Sequence, residues 1–386
     1  MGYLVYLTYP AMLLLLLVGA RVCKKGEWNE EVMNYRQTKY LQGYLAIGIM
    51  LHHIGQEMCA SWQEYNIYPG LEFFVPLGPI FVGVFFFCSG YGLYLSLQKK
   101  PDYLGKGFFR RRILPLIIGY YASAWIFFIA RLIMKEEMNP WKVFCYIIGI
   151  KLSNPYSWFA VAMPLFYLFF YLAFGFIKKR PILVVLIFVF TYTFIGTCIN
   201  HNHYLMTGQW WYNCVHMFWI GLLVAKYKDI LFLWLKKHYV FKLVLCIVMF
   251  FICWELSQLT QRVFSYYGQY RGLPQYLTIS YRWICLVFEM LCSTLACFFI
   301  LLAGLKVKIG NRLLGFMGTI TFEFYIIHGL AIELFSYRFC DIVLPIIRIT
   351  NVALMIVVVF VMSIPLALGM RRICHALDKP RLYLVK

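Results

Sequence analysis

Runs of about 17–25 predominantly apolar residues recur roughly eleven times along the chain, each long enough to cross a ~30 Å hydrocarbon layer as a helix. They fall at about 3–20, 39–57, 71–97, 113–133, 158–177, 181–199, 210–225, 239–257, 282–305, 314–334 and 346–369. With 62% hydrophobic and 13% charged residues, a chain of 386 residues has too little interior to hide its apolar surface from water. The expected fold is therefore an all-α, polytopic membrane helical bundle of about 11 transmembrane helices. A soluble enzyme, a coiled coil and a disordered chain are set aside. Pro76 and Pro79 make the outer end of the third run irregular. The first run lacks a cleavage site of small residues and reads as a retained helix.

The formal net charge of +20 would suggest nucleic acid in a soluble protein, but here its distribution matters first. Taken by alternate loops, twenty-six Lys and Arg lie on one side and nine on the other. Basic loops stay in the cytoplasm, so the expected topology is N-terminus outside and C-terminus cytoplasmic, in a multi-pass cell-membrane protein. No nucleic-acid partner is implied. The 13 cysteines form no C-x-x-C pair and mostly sit in apolar runs, so neither a metal site nor a disulfide framework is indicated. Segments 134–157 and 258–281 read as ordered lids or interfacial helices on the outer side.

Chemistry-bearing residues stand out against this background. Lys39, Gln42 and His53 share one helical face, with His53 about 21 Å along the helix from Lys39 and so beyond the bilayer centre. His52 points about 100° away and cannot face the same cavity centre. Thr321, Tyr325 and His328 form a second one-faced stripe, and His328 is about 24 Å beyond Arg312. Ionisable groups at such depth mark function when they face a cavity. The plainer reading is an interhelical hydrogen bond. Glu323, on another face, is expected to pair within the bundle.

At the inner side, Arg110, Arg111 and Arg112 precede Pro115. They read equally as a lipid-headgroup anchor or as a phosphate grip. Ser89-Gly90 is a packing notch with a hydroxyl, and Trp158 opens a span from the outside. Glu72, Glu255 and Glu289 are cavity residues or internal partners, and His201 with His203 lacks a third metal ligand.

These segments together resemble the acyltransferase 3 family of integral membrane acyltransferases. The family opens with Arg-Gly and a His eleven residues after the Arg, where this chain has Gln42-Gly43 and His53. An aromatic run into Ser-Gly is matched by Phe85-Phe86-Phe87-Cys88-Ser89-Gly90, and a basic cluster before Ile-Leu-Pro by Arg110–Arg112 and Pro115. Trp158-Phe159 matches the pair that opens a span, and Gly318, Thr321, Tyr325 and His328 match the final pattern. The likeness runs from about 39 to 369 and implies a ten-helix acyltransferase domain at 39–386, with 1–38 as an added N-terminal helix and cytoplasmic loop.

The resemblance implies transfer of an acyl group, most often acetyl, from cytoplasmic acyl-CoA to a hydroxyl of a cell-surface or exported glycan, with no metal. It implies that His53, Lys39, Tyr325 and His328 are catalytic, with Lys39 standing in for the Arg that Gln42 replaces. Arg110, Arg111 and Arg112 would hold the CoA, and His52, Ser89, Trp158 and Glu72 would line the substrate path. The first Arg of the family's Arg-x-x-Arg falls near Phe109. A homodimer, a proton-coupled transporter or flippase, and a catalytically inactive relative stay open.

Overall fold

The computed structural model describes residues 2–62, 67–105, 107–199, 207–264, 266, 272–336 and 347–378. Almost everything described is helix, apart from an antiparallel bridge of two-residue strands, β1 (Arg21–Val22) and β2 (Val307–Lys308). A 3-10 turn leads into α1 (Thr8–Leu17), and a polar stretch into α2 (Tyr35–Met58), whose cap Asn34 accepts from Gln37 N. The 3-10 turn Glu72–Leu77, which contains Pro76, precedes α3 (Gly78–Lys99), as the prolines led one to expect.

The short basic α4 (Phe108–Arg112) abuts α5 (Leu114–Ile133). Next come α6 (Pro140–Ile148), α7 (Trp158–Tyr171), α8 (Pro181–Cys198), α9 (His216–Lys226) and α10 (Lys228–Lys236). The long α11 (Tyr239–Val263) and α12 (Gln275–Lys306) pack on each other. α13 (Arg312–Thr319), α14 (Thr321–Phe335) and α15 (Val352–Asp378) complete the bundle.

Helices occupy all eleven expected segments, but they are not eleven uniform spans. Among the described residues seven helices are long and apolar enough to cross a membrane, or eight if α13 and α14 count as one. Those two meet at Ile320 with an 85° bend. The first run holds only a 3-10 turn and the ten-residue α1. The run at 210–225 becomes a short turn, irregular backbone and the 11-residue α9.

α2 is long enough at 24 residues but too polar to pass on composition. Its position explains this: every residue from Leu45 to His52 is buried, so other helices and not lipid surround it. The most lipid-exposed helix, α11, is 17% buried and carries mostly aliphatic and aromatic side chains. Hydrophobicity thus marks the outer helices, while the polar central helix carries the chemistry. α6 exposes Trp141, Phe144, Ile147 and Ile148 while burying Cys145 and Tyr146, a two-faced pattern.

Candidate active site

Two glycines set the distance between the helices that meet here. A Cβ on Gly43 would lie 2.4 Å from the Leu314 carbonyl oxygen, and one on Gly318 would lie 2.3 Å from that of Lys39. The backbones of α2 and α13 therefore touch, as small residues allow where helices cross in a membrane. The bend at Ile320 then sends α14 along the second half of α2. There His53 Nδ1 lies 2.7 Å from His328 Nε2, with the two rings stacked 5.0 Å apart at 12°. Residues 275 positions apart in sequence are thus directly bonded.

The proton positions in this pair follow from one carbonyl. His328 Nδ1 is 3.1 Å from the Phe324 carbonyl oxygen, which can only accept, so Nδ1 carries the hydrogen. In the neutral ring Nε2 then holds a lone pair and accepts from His53 Nδ1–H. His53 Nε2 is left with its lone pair. A base oriented by a second group, itself oriented by a third, is the arrangement used to activate nucleophiles.

Tyr156 closes the site. Its ring meets His53 edge-on at 4.8 Å and His328 at 5.6 Å. It also lies where Gly329 has no side chain, since a Cβ there would fall 2.0 Å from the tyrosine ring. Asn154 sets this placement. Its Oδ1 accepts from Tyr156 N at 3.0 Å, and its Nδ2 donates to the Ile326 carbonyl at 2.7 Å and to Ser123 Oγ at 3.2 Å. Neither Asn154 nor Tyr156 was singled out in the sequence. The only signal was a turn-forming Asn-Pro whose Pro155 lies three residues before the Trp that opens α7.

Of the residues singled out, Tyr325 and Trp158 join this centre. The Tyr325 ring is 6.2 Å from His328 and 5.7 Å from Phe159, and its hydroxyl is buried with no well-formed hydrogen bond among the described residues. Trp158 is buried against Phe86, Phe159 and Trp211. His52 turns away, as its 100° offset required. Its Nδ1–H donates to the Phe74 carbonyl at 3.1 Å, and its ring fills the space over Gly78. That carbonyl belongs to the turn on which Tyr9 of the N-terminal helix stacks, 5.6 Å from Phe74.

Other candidates lie apart from the histidine pair. Glu72 is exposed and accepts from Gly70 N at 2.9 Å. Lys39 sits at the opposite end of α2, over the Tyr35 ring, with Glu323 and Arg371 as charged neighbours, and Glu323 forms no ion pair among the described residues. Ser89 lies midway along α3 and bonds Tyr167, which feels the charge of Arg112. At the basic end Arg110 and Arg111 are exposed and Arg112 is half-buried, donating to Tyr103 Oη at 2.7 Å. Gln42 is half-buried, Glu255 exposed and Glu289 buried in α12. His201 and His203 lie outside the described residues.

Beyond His328 a buried ion network ties the helices together. Arg131 on α5 bonds Glu333 of α14 and Glu136, each at 2.8 Å, and the Ser153 carbonyl at 2.9 Å. Lys142 reaches Glu136 at 2.6 Å. Burial pushes the Glu136 carboxyl up, but Arg131 and Lys142 outweigh it and hold the group below the usual carboxylate range. This network fixes the loop carrying Asn154 and Tyr156 against α14.

Residues 38–372 match the family model of acyltransferase 3 described as "Acyltransferase domain". The chain belongs to the acyltransferase 3 family. Neither a curated protein nor a solved structure matches it. For this acyltransferase 3 protein the matched region begins inside α2 and ends inside α15, so it contains both histidines, the arginine cluster and Trp158. The molecule is a membrane acyltransferase, and the likeness read from five short motifs holds across most of the chain.

Proposed function

We propose that this protein transfers an acetyl group from cytoplasmic acetyl-CoA to a hydroxyl of a cell-surface or exported glycan, with its N-terminus outside and C-terminus cytoplasmic. The observation that carries this reading is the His53–His328 contact of 2.7 Å, with Nε2 of His53 left as a base. In the reaction His53 Nε2 takes the proton of the acceptor hydroxyl as its oxygen attacks the thioester carbonyl. The carbon–sulfur bond breaks, and the leaving thiolate takes that proton back from His53. Imidazolium formed at His53 is stabilised through its Nδ1–H to His328 and on to the Phe324 carbonyl.

Arg110, Arg111 and Arg112 suit the donor's phosphates, because guanidinium groups bind phosphate oxygens in pairs and two of the three are open to solvent. Those charges lie about 20 Å below His53. The pantetheine arm would follow α3 past Ser89 and Tyr167, which present hydroxyls along that route. Lys39, at the basic end of α2, offers the charge that Gln42 lacks, and its distance from His53 suits a role in holding the donor.

The test is CoA release from acetyl-CoA by purified protein in lipid nanodiscs, comparing wild type with His53→Ala and Arg112→Ala. Wild type should turn over. His53→Ala should lose about 10²–10⁴-fold in kcat while still binding CoA, and Arg112→Ala should raise KM. Wild type that neither binds CoA nor releases it contradicts the reading. Binding without release makes the protein an inactive relative, the reading that Gln42 keeps open. Full activity in Lys39→Ala removes that residue from the account.

A further inference from the structure

Between the 3-10 turn Gln209–Trp211 and α9 the chain passes through buried, irregular backbone. Trp211, Tyr212, Asn213, Cys214 and Val215 are each 3% exposed or less. Non-helical backbone inside a membrane bundle is tolerated where protein buries it or where it lines a cavity, and such breaks in membrane helices form ligand sites.

This segment carries an unusual set of unfilled polar atoms. Asn213 Nδ2 donates to Glu289 at 3.0 Å, which fixes the amide and leaves Oδ1 buried with nothing to accept from among the described residues. His216 Nε2 faces the Met290 carbonyl at 3.1 Å, so it carries the hydrogen, and the buried Nδ1 is an unfilled acceptor. Trp211 Nε1–H is a buried donor with no partner among the described residues. Buried polar groups are nearly always bonded, so three such atoms within six residues call for a partner.

Glu289 defines what that partner is not. It accepts from Asn213 and, at 2.8 Å, from Gln261, and it has no ion pair among the described residues. Both of its oxygens accept from amide N–H groups, the pattern of a carboxylate, which repels an anion. Two acceptors and one donor match a group that both donates and accepts, which is a hydroxyl-bearing ring. The indole rings of Trp158 and Trp211, 6.0 Å apart, supply apolar faces for its C–H surface. From there a chain of ring contacts runs through Phe159 and Tyr325 to His328.

We propose that the 211–216 segment and the facing turn of α12 form the acceptor subsite, which takes an uncharged sugar ring and rejects an acidic one. It rests on reading the His53–His328 pair as the transfer centre. Glu289 acts through Asn213 as a positioning residue, holding the amide so that Oδ1 faces the ligand.

The test uses wild type, Trp211→Phe and Asn213→Ala in nanodiscs. The probes are four neutral methyl glycosides (gluco, galacto, manno and N-acetylgluco) and methyl glucuronide. Calorimetry without acetyl-CoA should show a neutral glycoside binding to wild type, about tenfold weaker binding to either variant, and no glucuronide binding. With acetyl-CoA, the variants should raise the glycoside KM by a similar factor and leave sugar-free CoA release unchanged. Equal binding of glucuronide, or glycoside binding untouched by both substitutions, overturns the proposal. So does the absence of binding by any neutral glycoside, which would mean that water fills the segment. Trp211-dependent sugar binding in a protein that never releases CoA keeps the subsite and overturns the acetyl-transfer reading instead.

Discussion

A single carbonyl oxygen, that of Phe324, decides which nitrogen of His53 is free to act. The order Phe324 O, His328 Nδ1–H, His328 Nε2, His53 Nδ1–H fixes both tautomers. Solid-state NMR of ¹⁵N-histidine protein, with resonances assigned through His53→Ala and His328→Ala, should find both rings neutral and protonated at Nδ1 near pH 7.5. An Nε2–H tautomer at His53 would reverse the chain and remove the base. Depth along a helix was enough to single out both histidines from sequence, because an ionisable group about 20 Å from the nearest loop charge is rare in a membrane. Their direct bond was not legible, since helix spacing gives the height of a residue and not which helices are neighbours. Tyr156 was invisible for another reason: one aromatic in a loop has no period to read.

At the scale of elements, three breaks from regular helix surround the chemistry: the 85° bend at Ile320, the 3-10 turn Pro155–Ser157 and the irregular stretch before α9. Apolar runs announced helices at the first and third of these places, and the second lies in the 134–157 segment between runs. They did not announce the breaks, because hydrophobicity records burial or lipid contact and is indifferent to backbone geometry. Pro76 was the exception, as a missing N–H and a fixed φ are written in the residue itself. The turn and α14 meet at Gly329, where packing leaves no room for a methyl group. Gly329→Ala should push Tyr156 off the histidine pair, costing about 1–3 kcal/mol in stability and lowering kcat more than KM. A thermal melt alongside steady-state kinetics checks this, and unchanged kcat in a folded variant would detach Tyr156 from catalysis.

For the molecule as a whole, the division of labour follows from solvent. Outer helices meet lipid and are apolar, whereas α2 is buried on all sides at its centre and can hold Lys39, Gln42, His52 and His53. Composition therefore established the membrane but could not rank the helices, and α2, the one that matters most, is among the least hydrophobic. Helix rise puts the arginine cluster about 20 Å from the histidine pair, so donor and acceptor are expected on opposite sides of the bilayer. Sealed proteoliposomes test this most directly, with labelled acetyl-CoA enclosed on the side of Arg110–Arg112 and methyl glycosides added outside. Wild type should place labelled acetyl on the external sugar, and His53→Ala should place none. Label that appears only when donor and acceptor share a compartment, or equally with His53→Ala, would contradict it.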